Sequence, residues 1–392
     1  MKQPIRKTIA KANNIDTTDY IHSVLVDGNN LLKISLVNHR INEQGKDCGA
    51  VITFLHMLGG ILNKKDFNYC IVCWDGEQSG VLRYSYYKDY KANRDKNYEA
   101  HVNDTDYDKK LNAFAKYVMS HSKNKKSEIN GEDSDESFKR QKEIIVQILE
   151  EICVRQYEFE MVEGDDIISH YVHNKMDNEK VVIVSSDKDL TQLISDTVIV
   201  YNPINKEFIN KSNCVEKIGI RSDNVVLEKI ICGDVSDNIK GVKGVGEKTL
   251  TTLFPQLLTE KLNLSDVMKL SKELLDRRKE EKKKPLKSLE NIINGVTDGI
   301  QGEKLYEINE KIIDLSQPLL TEYAKKELES TLYTPLDTSD RSIKNVYKII
   351  SEYKINDLMD ENKFGDVFAP YSRIIKMESK QYEKFNSRNQ RK

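Results

Sequence analysis

Acidic side chains stand at the ends of apolar runs throughout the first two thirds of this chain. Asp27 follows Val24-Leu25-Val26, and Asp75 follows Cys70-Ile71-Val72-Cys73-Trp74. Glu163, Asp165 and Asp166 follow Phe159-Glu160-Met161-Val162, and Asp187 and Asp189 follow Val181-Val182-Ile183-Val184. Two more, Asp234 and Asp237, lie one helical turn apart in GDVSDN (233–238). Carboxylates gathered in one place repel, and burial adds to the penalty, so cations between them are the natural compensation. A ligand set of oxygens, without His or Cys, suits hard cations, Mg²⁺ or Mn²⁺. So many acids suggest two ions. Two ions about 4 Å apart can activate water and stabilise the leaving oxygen in phosphodiester cleavage, with no histidine base required. Each motif also has a plainer reading. Asp-Gly after a strand is an ordinary turn, EGDD is an acidic first turn of a helix, and SSDKD is a Ser N-cap with acids on the helix dipole. The same coincidence at four strand ends favours metal binding.

Short apolar runs bounded by turn signals read as buried parallel strands, and ligands of open α/β sheets bind outside their carboxyl ends. From residue 21 to 210, strand and helix patterns alternate. This predicts an α/β fold with a central, mostly parallel sheet and flanking helices. Residues 50–62 suit a first crossover helix. Residues 140–153 suit another, with Ile144, Ile145, Ile148, Leu149 and Ile152 on one face. Further helices are expected to begin near Asp165 and near Asp189. Thr197–Tyr201 reads as a fifth strand, and Asn205-Lys206 as the turn of a terminal hairpin. Residues 84–140 interrupt the pattern with many tyrosines and lysines. Leu111, Phe114, Ala115 and Val118 carry helical spacing there, and 122–137 reads as a mobile loop tip.

Residues 211–299 read as a helical region containing GDVSDNIKGVKGVGEKT (233–249). Asp234 and Asp237 share one side of a turn. Glycines that let backbone approach closely, followed by a helix N-terminus, make an anion site. Flanked by lysines, this is the shape of a helix–hairpin–helix phosphate clamp; a plain helical corner is the alternative. Residues 300–392 read as a helical C-terminal extension without a chemical motif, ending in an unordered basic tail, and 1–20 as a flexible N-terminal extension.

The chain has 392 residues, 32% of them charged, with a formal net charge of −2. Setting the nine acids aside leaves 61 basic residues against 54 acidic, a balance of +7 that suits a polyanionic partner. Cys70 and Cys73 have C-x2-C spacing but lie inside an apolar run, with no second pair. They are expected to be buried and reduced rather than half a zinc site. No segment approaches the ~20 apolar residues of a membrane span. The basic N-terminus has no apolar core for a secretory signal, so a cytoplasmic protein is expected.

VDGNN, WDG, YKANR (90–94), EGDD, SSDKDL and GDVSDNIKGVKGVGEKT, in this order over residues 21–255, resemble the 5′-nuclease superfamily. That group holds flap endonucleases, bacteriophage 5′–3′ exonucleases and ribonuclease H, and the 5′-nuclease domain of DNA polymerase I. The resemblance implies that Asp27, Asp75, Glu163, Asp165 and Asp166 form a first metal group, and Asp187, Asp189, Asp234 and Asp237 a second. It implies that Lys91 and Arg94 contact the scissile phosphate, and that Tyr90 stacks on a base near the cut. Lys240, Gly241, Lys243, Gly244, Gly246, Lys248 and Thr249 would grip duplex backbone, with K⁺ at the hairpin, and the insertion would form an arch over a single-stranded 5′ end. The implied activity is divalent-metal-dependent 5′–3′ exonuclease or flap endonuclease action, with ribonuclease H activity on RNA primers, on DNA or RNA–DNA hybrid during replication. A phage origin in a host cytoplasm fits this family. A monomer is expected, and a single-strand-binding protein or sliding clamp is a conceivable partner. Against this stands a non-catalytic junction-binding protein that keeps the fold. Gly164 replaces the Ala common in EGDD-type motifs, and the final hundred residues lie beyond the resemblance.

Overall fold

A computed structural model describes residues 21–92, 134–297, 302–359 and 361–389. The strands are Ile21–Asp27 (β1), Tyr69–Asp75 (β2), Arg155–Phe159 (β3), Glu179–Val184 (β4) and Val198–Asn202 (β5), and all but β3 fall on the expected apolar runs. They form one sheet with Glu207–Ile209 (β6), in the order β3-β2-β1-β4-β5-β6. The first five are parallel, and β6 returns antiparallel to β5. The connecting turn contains Lys206 at φ +57°, within the predicted hairpin. Strand order runs outward from β1 to β3 on one side and from β4 on the other. The crevice where that order divides lies at the carboxyl ends of β1 and β4.

Side chains alternate across each strand, so the sheet separates two apolar layers. Val24, Val26, Cys70, Val72, Trp74, Val182 and Val184 face one layer. It is covered by Gly49–Leu62 and Ser134–Glu151, the two predicted crossover helices. Leu25, Ile71, Cys73 and Ile183 face the other, with Gly164–Asn174 and the helices between residues 214 and 331, whereas those after residue 342 join the first layer. Cys70 and Cys73 therefore point to opposite faces and cannot share a metal. Both are free, buried thiols, pushed up by desolvation. Trp74, the chain's one tryptophan, stacks on Phe54 with ring centroids 5.8 Å apart. Its Nε1 donates to Gln156 Oε1 at 3.0 Å, and Lys142 Nζ sits 5.2 Å above the ring.

Three expectations change. The strand expected over Phe159–Val162 lies instead over Arg155–Phe159, sharing only Phe159 with the apolar run, and Met161 turns at φ +64°. The segment at Asp189 is a short 3₁₀ turn, Asp189–Leu193, rather than an α-helix. The C-terminal extension returns to the α/β core, and its last helix, Ser372–Asn389, replaces the expected unordered tail. Tyr371 OH donates to Leu55 O at 2.8 Å, and Asn42 Nδ2 to Tyr353 O at 2.7 Å. Arg155 Nε and Nη2 each donate to Glu378 at 2.8 Å, both side chains being almost fully buried. The N-terminal extension and the helix expected at 111–118 lie outside the described residues. Among the described residues, no helix is long and apolar enough to cross a membrane.

Candidate metal centre

The strand ends deliver the carboxylates. Asp27 closes β1 and also caps Gly28–Ser35 (α1), accepting from the Asn30 N–H at 2.9 Å. Ser185 Oγ, just past β4, donates to Asp27 Oδ2 at 2.9 Å. Asp75 closes β2 and accepts from Asn29 Nδ2 at 2.9 Å and from the Gly164 N–H at 2.8 Å. That second bond opens Gly164–Asn174 (α2), which carries Asp165 in its first turn. Desolvation, then Asp75 and Asp187, pushes Asp27 up to about 7. Desolvation, then Asp27, Asp187, Asp75 and Glu163, pushes Asp165 well above the usual carboxylate range. Asp187 opens at the mouth. Its carboxyl is raised by desolvation from the surrounding wall and by Asp237 and Asp234, with Lys229 opposing.

The other acids meet cations from their own chain. Arg83 Nη1 lies 3.2 Å from Glu163 Oε2 and donates to Asp166 Oδ2 at 2.6 Å. Asp166 Oδ1 accepts from Arg83 Nη2 at 3.2 Å and from the Leu319 N–H at 2.9 Å. Both oxygens of Asp166 thus serve a buried ion pair with one guanidinium. Lys229 comes from the apolar helix Val225–Cys232 (α3) and places Nζ between Asp189 and Asp234, 2.5 Å from Asp234 Oδ2. Desolvation opposes it, but Lys229 and Ser236 hold Asp234 below the usual range. Asp189 is pushed up to about 7, by desolvation first, against the pull of Lys229.

Tyr90 joins the two predicted groups. Its hydroxyl lies 3.1 Å from Glu163 Oε2 and 3.2 Å from Asp237 Oδ2. The ring is 1% exposed, packed with Ile239, Ile312 and Ile313 and edge-on to Tyr84. The expectation that Tyr90 stacks on a base is corrected: neither ring face is open, and the phenol acts as a buried bridge. Lys91 takes φ +54°. Its N–H donates to Asp237 O at 2.8 Å and its Nζ to Glu163 Oε1 at 2.7 Å. The predicted partner Arg94 lies outside the described residues.

Asp234 and Asp237 sit in a tight hairpin, Gly233–Asp234 against Ile239–Lys240, between α3 and Glu247–Leu253 (α4). Asn309 Nδ2 ties it down through Ile230 O at 2.9 Å and Lys240 O at 2.8 Å. Lys240, Lys243, Gly244, Gly246 and Lys248 are exposed along its outer edge, and Thr249 is half-buried. The Lys243 N–H is used internally, donating to Val296 O at 2.8 Å. Gly241 also faces inward, where an added Cβ would lie 2.0 Å from Cys232 O. Open backbone therefore falls to Gly244 and Gly246.

The donor set fits hard divalent cations: oxygen atoms alone, several of them pushed above the usual carboxylate range by burial and by one another. As they stand, no three His, Cys, Asp or Glu side chains among the described residues converge tightly enough to cage an ion. Lys229, Arg83 and Lys91 already neutralise Glu163, Asp166, Asp189 and Asp234. The sequence reading missed these three roles. A Glu228-Lys229 pair inside an otherwise apolar helix was the available signal, since buried charges need partners. Arg83 sits among tyrosines with no pattern to mark it.

Residues 22–219 match the family model of the 5′–3′ exonuclease N-terminal resolvase-like domain. A 5′–3′ exonuclease of Aquifex aeolicus is 27% identical over 241 residues, covering 61% of this chain and 70% of that protein. DNA polymerase I of Bacillus subtilis is 28% identical over 268 residues, which are 66% of this chain but only 26% of the polymerase. Among solved structures, T5 D15 protein co-crystallised with metal ions aligns over 84% of this chain and 99% of that one. The identity is 18% and the TM-score 0.49. Human GEN1 in complex with Holliday junction DNA aligns over 92% of this chain and 73% of that one, at 12% identity and a TM-score of 0.45. The matched region takes in the whole parallel sheet and seven of the nine carboxylates, and on that match the chain belongs to the 5′–3′ exonuclease family through its N-terminal resolvase-like domain.

Proposed function

We propose that this chain is a divalent-metal-dependent 5′ nuclease. Its substrates are duplex or flapped DNA, or RNA–DNA hybrid, cut near the 5′ end during replication. The observation that carries the reading is the gathering of Asp27, Asp75, Asp165 and Asp187 in one crevice by three strand ends and the first turn of α2, where burial and neighbouring carboxylates push Asp27 and Asp165 up. Two Mg²⁺ or Mn²⁺ ions, when bound, would supply water activation and charge neutralisation at the scissile phosphate.

The chain's own residues set the rest. Asn29, the Asn30 N–H and Ser185 hold Asp75 and Asp27 by hydrogen bonds, so the carboxylates are pre-oriented. Lys91 carries a positive charge at the rim of the first group, from which it can meet a phosphate and offset charge developing on it. Arg94 joins it by resemblance alone. The hairpin at 241–249, with its exposed lysines, would hold duplex backbone without reading sequence.

The deciding experiment incubates the full chain with end-labelled 5′-flap DNA, nicked duplex and RNA–DNA hybrid, with Mg²⁺ or with EDTA. Cleavage near the 5′ end in Mg²⁺ only, leaving a 5′-phosphate and a 3′-hydroxyl, is expected. Binding without cleavage in either Mg²⁺ or Mn²⁺ would instead identify a junction-binding protein.

A further inference from the structure

Lys188 lies between Asp187 and Asp189 in sequence, but its side chain serves other elements. Its Nζ stands 2.9 Å from Glu228 Oε2 and 3.2 Å from Glu247 Oε1. Glu228 belongs to α3, which enters the hairpin, and Glu247 is the first residue of α4, which leaves it. The Lys188 and Glu228 side chains are 10% and 2% exposed. One ammonium therefore ties the loop bearing two of the carboxylates to both helices that frame the hairpin. Lys229 adds a second tie, from α3 to Asp189 and Asp234. Burial opposes the charge on Lys188, but Glu228 and Glu247 outweigh it and hold the ammonium protonated. A pair serving stability alone would be complete with Glu228. The additional arm to Glu247 spans to the far side of the clamp.

We propose that Lys188 is a positioning residue that couples the glycine hairpin to the carboxylate site. A duplex seated on the hairpin then tightens the site's hold on divalent cations. The inference rests on the proposed function, since it needs both a duplex and a cation. A shift of α4 under a bound duplex moves Glu247, and Lys188 passes that shift to the backbone between Asp187 and Asp189. Coupling of this kind is reciprocal, so bound cations tighten duplex binding by the same factor.

The test titrates the full chain with Mn²⁺ by calorimetry, with and without a closed dumbbell duplex that offers no 5′ end to cut. The duplex is expected to tighten Mn²⁺ binding by about tenfold, within the usual range for coupled sites. Glu247→Gln removes only the arm to α4 and leaves the buried Lys188–Glu228 pair intact. It should reduce the coupling below about threefold with little change in melting temperature, and lower kcat on flap DNA more than it changes KM. Lys188→Arg should keep the coupling. The double variant Lys188→Met, Glu228→Gln, which leaves no orphaned buried charge, should abolish it. Full coupling in both Glu247→Gln and the double variant overturns the proposal, as does absence of coupling in the wild type. Wild-type cleavage of flap DNA is measured in parallel. Cleavage with coupling indifferent to these variants removes only the role of Lys188, whereas failure of the wild type to cleave or to bind Mn²⁺ removes the functional reading itself.

Discussion

Asp187 and Lys91 separate chemistry from binding. Asp187→Asn keeps the size of the side chain and removes one ligand charge. Lys91→Ala removes the ammonium at the rim and also releases Glu163. Both variants are expected to lose flap cleavage by two or more orders of magnitude, on the scale of other transition-state contacts. Duplex affinity measured in EDTA should stay close to wild type. Near-normal rates in either variant would remove that residue from the reaction. The strained acids also predict a pH response. Asp27 and Asp189 are pushed up to about 7, so the folded chain keeps protons that the unfolded chain releases above about pH 4. Bound protons then favour the fold, and the metal-free protein loses stability as pH rises from about 4 to 7. Asp166, Asp187 and Glu228 shift in the same direction. His22, lowered by burial and by Lys65 and Lys180, opposes them, but it is one group against several. Melting in EDTA should therefore occur at a lower temperature at pH 7.5 than at pH 5.5, and saturating Mg²⁺ should narrow the gap. A melting temperature that climbs over this interval would show that the acids are relieved by some other means.

At the scale of elements, the glycine hairpin makes two different demands. Gly244 has φ +76° with open space around the missing Cβ. Gly244→Ala should cost only about 1 kcal/mol of stability, whereas Gly244→Pro cannot adopt that φ and should weaken duplex affinity across all sequences. Gly241 is constrained by contact, and Gly241→Ala should destabilise the fold by roughly 1–3 kcal/mol through overpacking. Thermal melts and duplex-binding anisotropy distinguish the two cases, and equal effects at both positions would refute the distinction. Strands and crossover helices were legible because each is long and strongly patterned. Asp27 and Asp75 could be placed by eye, since each closes an uninterrupted apolar run. β3 was placed too late in the chain because Met161 and Val162 give an apolar run to what is a turn, whereas the strand itself, Arg155–Phe159, is half polar. Tyr90 was misjudged for a related reason. A tyrosine beside lysines reads as surface, and the isoleucines that bury it come from residues 239, 312 and 313, far along the chain.

Over the whole molecule, the C-terminal helices close on the sheet rather than extending the clamp. Their anchor is the buried pair of Arg155 and Glu378, reinforced by Arg155 Nη1 donating to Thr334 O at 2.7 Å. Glu378→Ala leaves a buried guanidinium without its carboxylate and should cost roughly 3–5 kcal/mol. Replacing both partners with apolar residues should cost far less, and denaturant unfolding of the single and double variants measures the difference. An equal loss in both would assign the effect to packing instead. No pattern along the chain marks this return, because Arg155 and Glu378 are more than two hundred positions apart and each looks like ordinary surface charge.

Trp74 gives the molecule a built-in optical reporter. As the sole indole, one position before Asp75, it is the single source of tryptophan emission, so any change in that signal has one address. Its surroundings make the signal informative, because the ring is stacked on Phe54, hydrogen-bonded to β3 through Gln156 and overlain by Lys142. Lys142 lies on Ser134–Glu151, the helix that resumes the described chain after residues 93–133. A strand end carrying a proposed cation ligand and the helix leaving the insertion thus converge on one fluorophore. Unlabelled protein mixed rapidly with cation or with flap DNA would report, in its own light, the order in which the two arrive.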